Sequence, residues 1–203
     1  RNFLTGVATD SHRLSSSSFE IENSDNFSSL ILPRKTVFQL CSLLTESNEK
    51  LSMQTSENKI KFTLGSIKLI SKVIDGKFPD YRKVVPSNNE KSLIVHSKDF
   101  IDSIERVTTV SIDRKEGVKL AINKENIQLS VNSANSGEGN EVIKANFNSG
   151  GLNISFNSKY LIDIDSEVED KNLKMNLKDS VSPVLIEDAS DRNSYYVIMP
   201  MKI

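Results

Sequence analysis

Residues 51–62, LSMQTSENKIKF, carry apolar side chains at alternate positions on both sides of a polar turn. Leu51 and Met53 alternate with polar residues before the segment SENK, and Ile60 and Phe62 do so after it. A period of two is typical of a β-strand with one buried and one solvated face, and SENK is typical of a turn. The stretch therefore predicts an antiparallel hairpin that packs one face against a core.

The same alternation runs through most of the chain, separated by further turn sequences such as NKEN and KDSVSP. Because the period of two recurs with polar residues in the gaps, further half-buried strands are predicted. They lie at residues 118–122, 127–131, 152–156, 173–177 and 184–186.

Three segments have apolar residues at helical spacing instead. They are residues 33–47, 97–110 and 157–170. Pro33 is predicted near the first position of the first helix, Ser97 as the N-cap of the second, and Asn157 or Ser158 as the N-cap of the third. Few helices among many antiparallel strands predict an α+β fold. The inward faces of the second and third helices are predicted to be Phe100, Ile101, Ile104 and Val107, and Tyr160, Leu161, Ile164 and Val168.

The opening hairpin has a counterpart later in the chain. Residues 173–186, LKMNLKDSVSPVLI, repeat its pattern 122 to 124 residues downstream, and Lys35 and Lys159 match at the starts of the preceding helices. The chain therefore predicts two copies of one unit, divided into residues 1–82 and 83–203. The second copy begins with a strand and a helix that the first copy lacks, so a piece of a longer chain is expected.

Composition limits the class of protein. The 203 residues carry a formal net charge of −1, so no general basic surface advertises nucleic acid binding. Cys41 is the only cysteine, which excludes an intramolecular disulfide. It is predicted to be a small core residue, and a reducing compartment fits. No apolar run approaches the roughly 18 residues of a membrane span, and no metal or cofactor motif is present.

Residues 8–14, ATDSHRL, place Asp10, Ser11 and His12 side by side. Neighbours on a strand point to opposite faces, so only Asp10 and His12 would share a face. The chain has no nucleophile elbow, HExxH motif or Walker loop. A hydrolase that uses Asp10 and His12 is therefore a distant hypothesis beside a hydrogen-bonded polar turn or a partner-binding surface.

Two segments are apolar without a clear reason in the strand pattern. The chain ends in YYVIMPMKI, residues 195–203, with Lys202 as its only charge, although chain ends are usually polar. The junction at residues 76–88 carries Phe78, Pro79 and Tyr81. These three residues either only pack two domains together, or Pro79 and Tyr81 line, with Val84, an inter-domain crevice that binds an apolar ligand.

Five segments carry a family resemblance. They are ATDSHRL (8–14), LPRK (32–35), DGKFPDYRKVVP (75–86), KDSVSPVLIED (178–188) and YYVIMPMKI, in this order. Together they resemble the β sliding clamps of bacterial DNA polymerase III, over the whole chain. The resemblance implies a DNA-clamp fold of repeated antiparallel sheets with helices lining one concave face. Residues 1–82 would be the later part of the second clamp domain and residues 83–203 the third.

The resemblance also implies a function without catalysis or cofactors. In the family, two chains join head to tail into a ring around duplex DNA and act as a processivity factor. Polymerases, the clamp loader and repair proteins insert a short linear motif into an apolar pocket between the second and third domains. Here the implied pocket residues are Thr9, His12, Arg13, Leu14, Pro79, Val84, Asn157, Tyr160, Val181, Val197, Met199, Pro200, Met201 and Ile203.

Two further surfaces follow from the resemblance. The residues implied to face the phosphates of duplex DNA are Arg34, Lys35, Lys98, Arg106 and Lys159. The half of the ring interface carried by this chain would include Val110, Glu138 and Glu141. The implied location is the bacterial cytoplasm, on the nucleoid, without a membrane partner.

Four positions depart from the family pattern. Lys83 and Lys202 stand where arginine is frequent, Pro183 where a small polar residue is usual, and Ser11 where glycine is usual. Lysine lacks the planar, bidentate contacts of arginine, so the subsites beside the two lysines are expected to differ. The alternative function is a β-rich module that binds peptides and has no role on DNA.

Overall fold

The computed structural model describes residues 2–21, 28–45, 48–111, 117–133, 137–168, 171–188 and 190–202. These residues form fourteen β-strands, three α-helices and one 3₁₀ turn. None of the described helices is long and apolar enough to cross a membrane.

The elements follow one another in an α+β order, as the alternation predicts. They are β1 (Asn2–Thr9), β2 (Arg13–Ile21), α1 (Arg34–Thr45), β3 (Leu51–Thr55), β4 (Lys59–Leu64), β5 (Ile67–Lys72), the 3₁₀ turn (Tyr81–Lys83), β6 (Lys91–His96), α2 (Ser97–Thr108), β7 (Gly117–Ile122), β8 (Asn126–Ser133), β9 (Gly137–Lys144), β10 (Asn146–Phe147), β11 (Leu152–Asn157), α3 (Ser158–Asp165), β12 (Asn172–Leu177), β13 (Val184–Asp188) and β14 (Ser194–Ile198).

The chain divides into two compact units, one of residues 22–80 and one of residues 1–21 with 81–203. In the smaller unit, β3, β4 and β5 form an antiparallel sheet in that order. Alternate residues of β4, Ile60, Phe62 and Leu64, are buried. Thr36 is the buried residue of α1, and its hydroxyl lies 2.7 Å from that of Ser71 on β5.

The larger unit contains two sheets. A seven-stranded sheet has the order β1-β2-β14-β13-β12-β6-β10, and a four-stranded sheet has the order β11-β7-β8-β9. Helix α2 packs on β8, β9 and α3. Its Phe100, Ile104 and Val107 recur every three or four residues and are buried in the core, as the helical spacing predicts.

The predicted repeat is present in the strand register. Met53 on β3 pairs with Phe62 on β4, and Met175 on β12 pairs with Ile186 on β13. In both copies a helix precedes this hairpin and a third antiparallel strand follows it. The boundaries of the two sequence copies differ from those of the two compact units. Strands β1 and β2 belong to the first copy in sequence, but they join the larger unit because β2 pairs with β14. The domain division at residues 82 and 83 stays a prediction.

Two local predictions about the helices are wrong. Ser97 is the first residue of α2, and His96 occupies the N-cap without a side-chain hydrogen bond. The Ser97 hydroxyl instead donates to Asp165 Oδ1 at 2.5 Å, which draws it away from its own helix. Burial raises the pKa of Asp165 above its ordinary value. The third helix ends at Asp165, so Val168 packs against the core from beyond it.

The predicted core position of Cys41 is also wrong, since its side chain is exposed. Helical spacing groups Val37, Cys41 and Leu44 on α1, but among the described residues no element of the smaller unit buries them. Asn157, by contrast, caps α3 as predicted, because its side chain accepts a hydrogen bond from the Lys159 N–H at 3.0 Å.

Candidate functional site

Strand pairing gathers several predicted pocket residues at one end of the seven-stranded sheet. Thr9 pairs with Leu14 at the end of β1, and Arg13 pairs with Ile198 at the end of β14. Val184, the first residue of β13, pairs with Ile198 from the other side. The turn before β2, the tail after β14 and the loop before β13 therefore all extend beyond the same end of the sheet.

The turn before β2 is built around the carboxylate of Asp10. Asp10 Oδ1 accepts hydrogen bonds from the backbone N–H groups of His12 and Arg13, each at 3.0 Å. Burial would raise the pKa of Asp10, but these N–H groups and the Arg13 side chain hold it below the ordinary value. The geometry is that of a hydrogen-bonded polar turn. Asp10 therefore has a structural role, which was the alternative to the hydrolase hypothesis.

Ser11 lies at the tip of this turn with a positive φ of 75°. An L-residue in this conformation is strained by about 1–2 kcal/mol, because its Cβ crowds the following carbonyl oxygen. Glycine avoids this strain, which gives a physical reason for the glycine that is usual here in the family. Serine in place of glycine at position 11 is therefore expected to reduce the stability of the fold.

Replacing Ser11 by glycine is expected to raise the free energy of unfolding by about 0.5–1 kcal/mol, since relief of strain exceeds the added entropy of the unfolded chain. Ser15→Gly is the matched control, because Ser15 lies on β2, is exposed and has no positive φ. It should lower stability by about 0.5–1 kcal/mol. Urea unfolding measures both, and equal losses in the two variants would contradict the strain at Ser11.

The C-terminal tail is held across this end of the sheet by two backbone hydrogen bonds. The Met199 N–H donates to the His12 carbonyl at 2.8 Å, and the Met201 N–H donates to the Ser155 carbonyl at 2.7 Å. The side chains of Met199 and Met201 nevertheless remain 38% and 36% exposed. The tail is thus fixed in direction and leaves two flexible apolar side chains facing solvent.

Arg13 joins the turn to helix α3. Its guanidinium carbon lies 4.3 Å from the centre of the Tyr160 ring, a cation–π geometry. Arg13 Nε donates to Asp10 Oδ2 at 3.0 Å, and a terminal nitrogen donates to Asp163 Oδ2 at 2.6 Å. Burial would lower the pKa of Arg13, but the hydrogen bond to Asp163 raises it, so Arg13 stays a cation. Asp163 is absent from the residues predicted for the site.

Val181 is presented at the same end of the sheet by another carboxylate turn. Asp179 Oδ1 accepts from the N–H groups of Val181 and Ser182 at 2.9 and 2.7 Å. The turn leaves Val181 59% exposed in the loop before β13. Leu14 and Val197, which pair with each other across β2 and β14, are both buried.

The assignment of all these residues to a pocket stays a prediction, and that includes four residues not yet placed. Pro79 belongs to the smaller compact unit, and Val84 follows the 3₁₀ turn, with its N–H donating to the Tyr81 carbonyl at 3.1 Å. Pro200 lies in the tail between the two methionines and is partly buried. Ile203 lies outside the described residues.

The five cations predicted to face DNA lie on the helices. Arg34 and Lys35 begin α1, Lys98 lies in the first turn of α2, and Lys159 lies in the first turn of α3; all four, and Arg106 near the end of α2, are exposed. Lys98 Nζ lies 3.8 Å from Asp102 Oδ2, and Arg106 makes a bidentate pair with Glu141 at 2.5 and 3.0 Å. This hydrogen bonding from Arg106 lowers the pKa of Glu141 below its ordinary value.

Strand β9 carries two of the three residues predicted for the ring interface, Glu138 and Glu141. It is an edge of the four-stranded sheet among the described strands, and edge strands offer unpaired backbone groups to another chain. Glu138 is exposed, Glu141 binds Arg106, and Val142 points outward with 62% exposure. Val110 packs partly against the core after α2.

No group of three or more His, Cys, Asp or Glu side chains able to hold a metal ion occurs within the part of the chain that the structure describes.

Comparison with known proteins matches both parts of the chain. The family model for the C-terminal domain of the DNA polymerase III beta subunit matches residues 82–202, and the model for its central domain matches residues 1–80. The chain is 34% identical over 200 residues to the beta sliding clamp of Escherichia coli K12 and 33% identical over 201 residues to that of Caulobacter vibrioides NA1000. Each alignment covers 98% of this chain, with 55% and 54% of the relative.

A solved structure agrees with the sequence matches. A DnaN sliding clamp from Bartonella birtlesii bound to griselimycin superposes with a TM-score of 0.95 at 39% identity. The match covers 99% of this chain and 55% of that chain. The chain thus spans about half the length of the relatives that it matches.

Proposed function

The chain belongs to the DNA polymerase III beta subunit family, the bacterial β sliding clamps, and from this membership we propose that it serves as part of a processivity clamp. The proposed clamp encircles duplex DNA as a ring dimer, has no catalytic role and uses no cofactor. It tethers polymerase, clamp loader and repair proteins through short linear motifs. Its proposed location is the bacterial cytoplasm, on the nucleoid.

The proposed binding of partner motifs is supported by the C-terminal tail, which lies beside the Arg13–Tyr160 pair. The tail is anchored through Met199 and Met201 N–H groups, yet both methionine side chains are exposed. Methionine adapts to varied apolar partners, and exposed apolar groups with a polar rim mark interaction sites. We therefore propose that a peptide with Gln followed by Leu and Phe binds here, with Tyr160, Val181 and the tail as walls.

Calorimetric titration of such a peptide tests this proposal. A short motif that covers a few apolar side chains is expected to bind with a Kd of about 1–100 μM after ordering costs. Tyr160→Ala should weaken binding because it removes a wall of the site. A peptide with Gln, Leu and Phe replaced by Ala is the control, and equal affinity for both peptides would exclude the site.

The ring interface is proposed at the β9 edge. Glu138 and Glu141 give this edge an acidic character, and Val142 adds an exposed apolar side chain beside them. Val110 belongs to the proposed interface on the basis of the family resemblance. A partner edge with basic and apolar residues would complement this strand.

The proposed DNA contact rests on Lys98 and Lys159, whose helices pack against each other in the larger unit. Nonspecific duplex binding depends on such phosphate contacts and weakens with salt. The double variant Lys98→Glu with Lys159→Glu is expected to weaken binding of a short duplex several-fold at about 50 mM salt, with a shallower salt dependence. Fluorescence anisotropy measures both quantities.

The double variant Lys119→Glu with Lys124→Glu is the matched control, because both lysines are exposed, on β7 and in the turn after it, and the total charge change is the same. It should leave duplex binding nearly unchanged. If the control and the first double variant behave alike, only net charge matters. If peptide binds while the duplex does not, a peptide-binding module without a DNA role would be the better description.

A further inference from the structure

Arg13 is fixed from two directions by groups on different elements. Asp10 binds its Nε at 3.0 Å, and Asp163 binds a terminal nitrogen at 2.6 Å. Beneath the guanidinium lies the ring of Tyr160, at 4.3 Å from its centre. Asp163 follows Tyr160 by three residues on α3, so both side chains project from the same face of that helix.

The two carboxylates have different consequences for the position of Arg13. Asp10 belongs to the same turn as Arg13 and moves with it, so this contact leaves the guanidinium free to turn relative to α3. Asp163 is 150 residues away in sequence and lies on the helix that carries Tyr160. Its short, charge-assisted hydrogen bond ties one edge of the guanidinium to that helix.

We propose that Asp163 is a positioning residue of the partner-binding site: it holds the Arg13 guanidinium flat over Tyr160, so that the two stacked side chains form one rigid wall. The proposal rests on the proposed peptide-binding function of this end of the sheet. Asp163 acts through Arg13, and it needs no contact with the peptide. The Asp163 side chain is 40% exposed, so its pair with Arg13 should add little to the stability of the fold. We expect it to affect mainly the orientation of the Arg13 side chain.

Loss of this contact should loosen the wall without removing any apolar group. In Asp163→Asn, Arg13 keeps its pair with Asp10 but is free to rotate away from Tyr160. The peptide must then order the wall when it binds, which reduces affinity. We expect the Kd of the Gln-Leu-Phe peptide to rise roughly fivefold, the size that an exposed ion pair supports.

A double-mutant cycle separates positioning from a direct contact. The variants are Asp163→Asn, Arg13→Ala and the pair together. If Asp163 acts through Arg13, then Asp163→Asn should have no further effect on the Kd once Arg13 is Ala. A further loss of the same fivefold size in that background would overturn the proposal. Asp163→Glu, which restores a carboxylate on α3 opposite the Arg13 guanidinium, should recover part of the affinity.

Glu187→Gln provides the matched control. Glu187 is 39% exposed and accepts from Lys174 Nζ at 2.8 Å on the middle of the seven-stranded sheet, so it loses a comparable ion pair away from the site. Its Kd for the peptide should stay within about twofold of the unmodified chain. A fivefold loss in this variant as well would overturn a specific role for Asp163.

The position of Arg13 is also measurable without any peptide. At 4.3 Å from the Tyr160 ring, the Arg13 side-chain protons should show upfield ring-current shifts in NMR spectra. Asp163→Asn should reduce these shifts, while Glu187→Gln should preserve them. Unchanged shifts in Asp163→Asn would overturn the proposal. Reduced shifts in a chain that binds no peptide would support the positioning role and reject the proposed peptide site.

Discussion

Removal of residues 199–203 is expected to abolish binding of the Gln-Leu-Phe peptide while the fold persists. The deletion takes away Met199 and Met201, and burying two large apolar side chains against a partner is worth about 3–6 kcal/mol before ordering costs. A loss of about 3 kcal/mol raises Kd more than a hundredfold. Calorimetric titration of the intact and shortened chains measures this difference.

The fold should survive because the last strand, β14, ends at Ile198, before the deletion. The deletion removes the two tail hydrogen bonds, to the His12 and Ser155 carbonyls, and both acceptors become accessible to water. Their loss costs about 1–3 kcal/mol. Thermal unfolding followed by circular dichroism should therefore show a cooperative transition a few degrees lower.

Single substitutions test the same prediction if the shortened chain is too unstable to study. Met201→Ala should weaken peptide binding, whereas Val142→Ala, which shortens an exposed apolar side chain on β9, should not. Equal affinity of the intact chain and the shortened chain would mean that the tail only completes the sheet end. The functional interpretation of YYVIMPMKI would then be wrong.

Periodicity predicted those elements whose buried face is apolar. The pattern around Leu173, Met175 and Leu177 indicated β12, and all three side chains are buried. Periodicity did not indicate β9, because its inward positions include Gly139 and Glu141. Glycine has no side chain that could be counted as apolar, and a glutamate predicts a solvent-facing position. Glu141 faces inward because it pairs with Arg106.

Cys41 shows a second limit of pattern analysis. Spacing determines which residues of α1 share a face, but only tertiary structure determines whether another element covers that face. Within the smaller unit Thr36 is buried and Cys41 is exposed. A helix therefore has a predictable apolar stripe and an unpredictable degree of burial.

The candidate site was predictable where residues form a motif and was not where they meet through the fold. Arg13 and Tyr160 follow from the family resemblance, and the structure brings them together. Asp163 has no such signal in the sequence, since an acidic residue on an exposed helix face is ordinary. Only the pairing of β2 with β14 and the placement of α3 show that Asp163 reaches Arg13.

Gly139→Ala is expected to lower the free energy of unfolding by about 1–3 kcal/mol, the usual cost of forcing an extra methyl group into a packed site. A Cβ at Gly139 would overlap the Val107 carbonyl oxygen and lie 3.0 Å from the Val107 Cα. These are backbone atoms of the last turn of α2, so no side chain can turn aside. Strand β9 must move away from the helix instead.

Gly6→Ala is the matched control for this substitution. Gly6 lies on β1, and a Cβ there meets nothing within 4 Å. Alanine in open space should raise stability by about 0.4–1 kcal/mol, because it restricts the unfolded chain. Urea unfolding of the two variants compares them directly, and equal stabilities would contradict the close approach of β9 to α2.

Gly139→Ala also distinguishes two interactions that could hold β9 against α2: the Arg106–Glu141 pair and the close backbone contact at Gly139. If the Arg106–Glu141 pair fixed the strand, Glu141→Gln would cost as much as Gly139→Ala. Water screens the exposed Arg106–Glu141 pair, so this pair contributes little to stability, whereas the backbone overlap at Gly139 cannot relax without moving the strand. We therefore expect Gly139→Ala to be the more destabilising change. It should also shift the β9 edge proposed for the ring interface, because Gly139 lies next to Glu138 and two residues before Glu141.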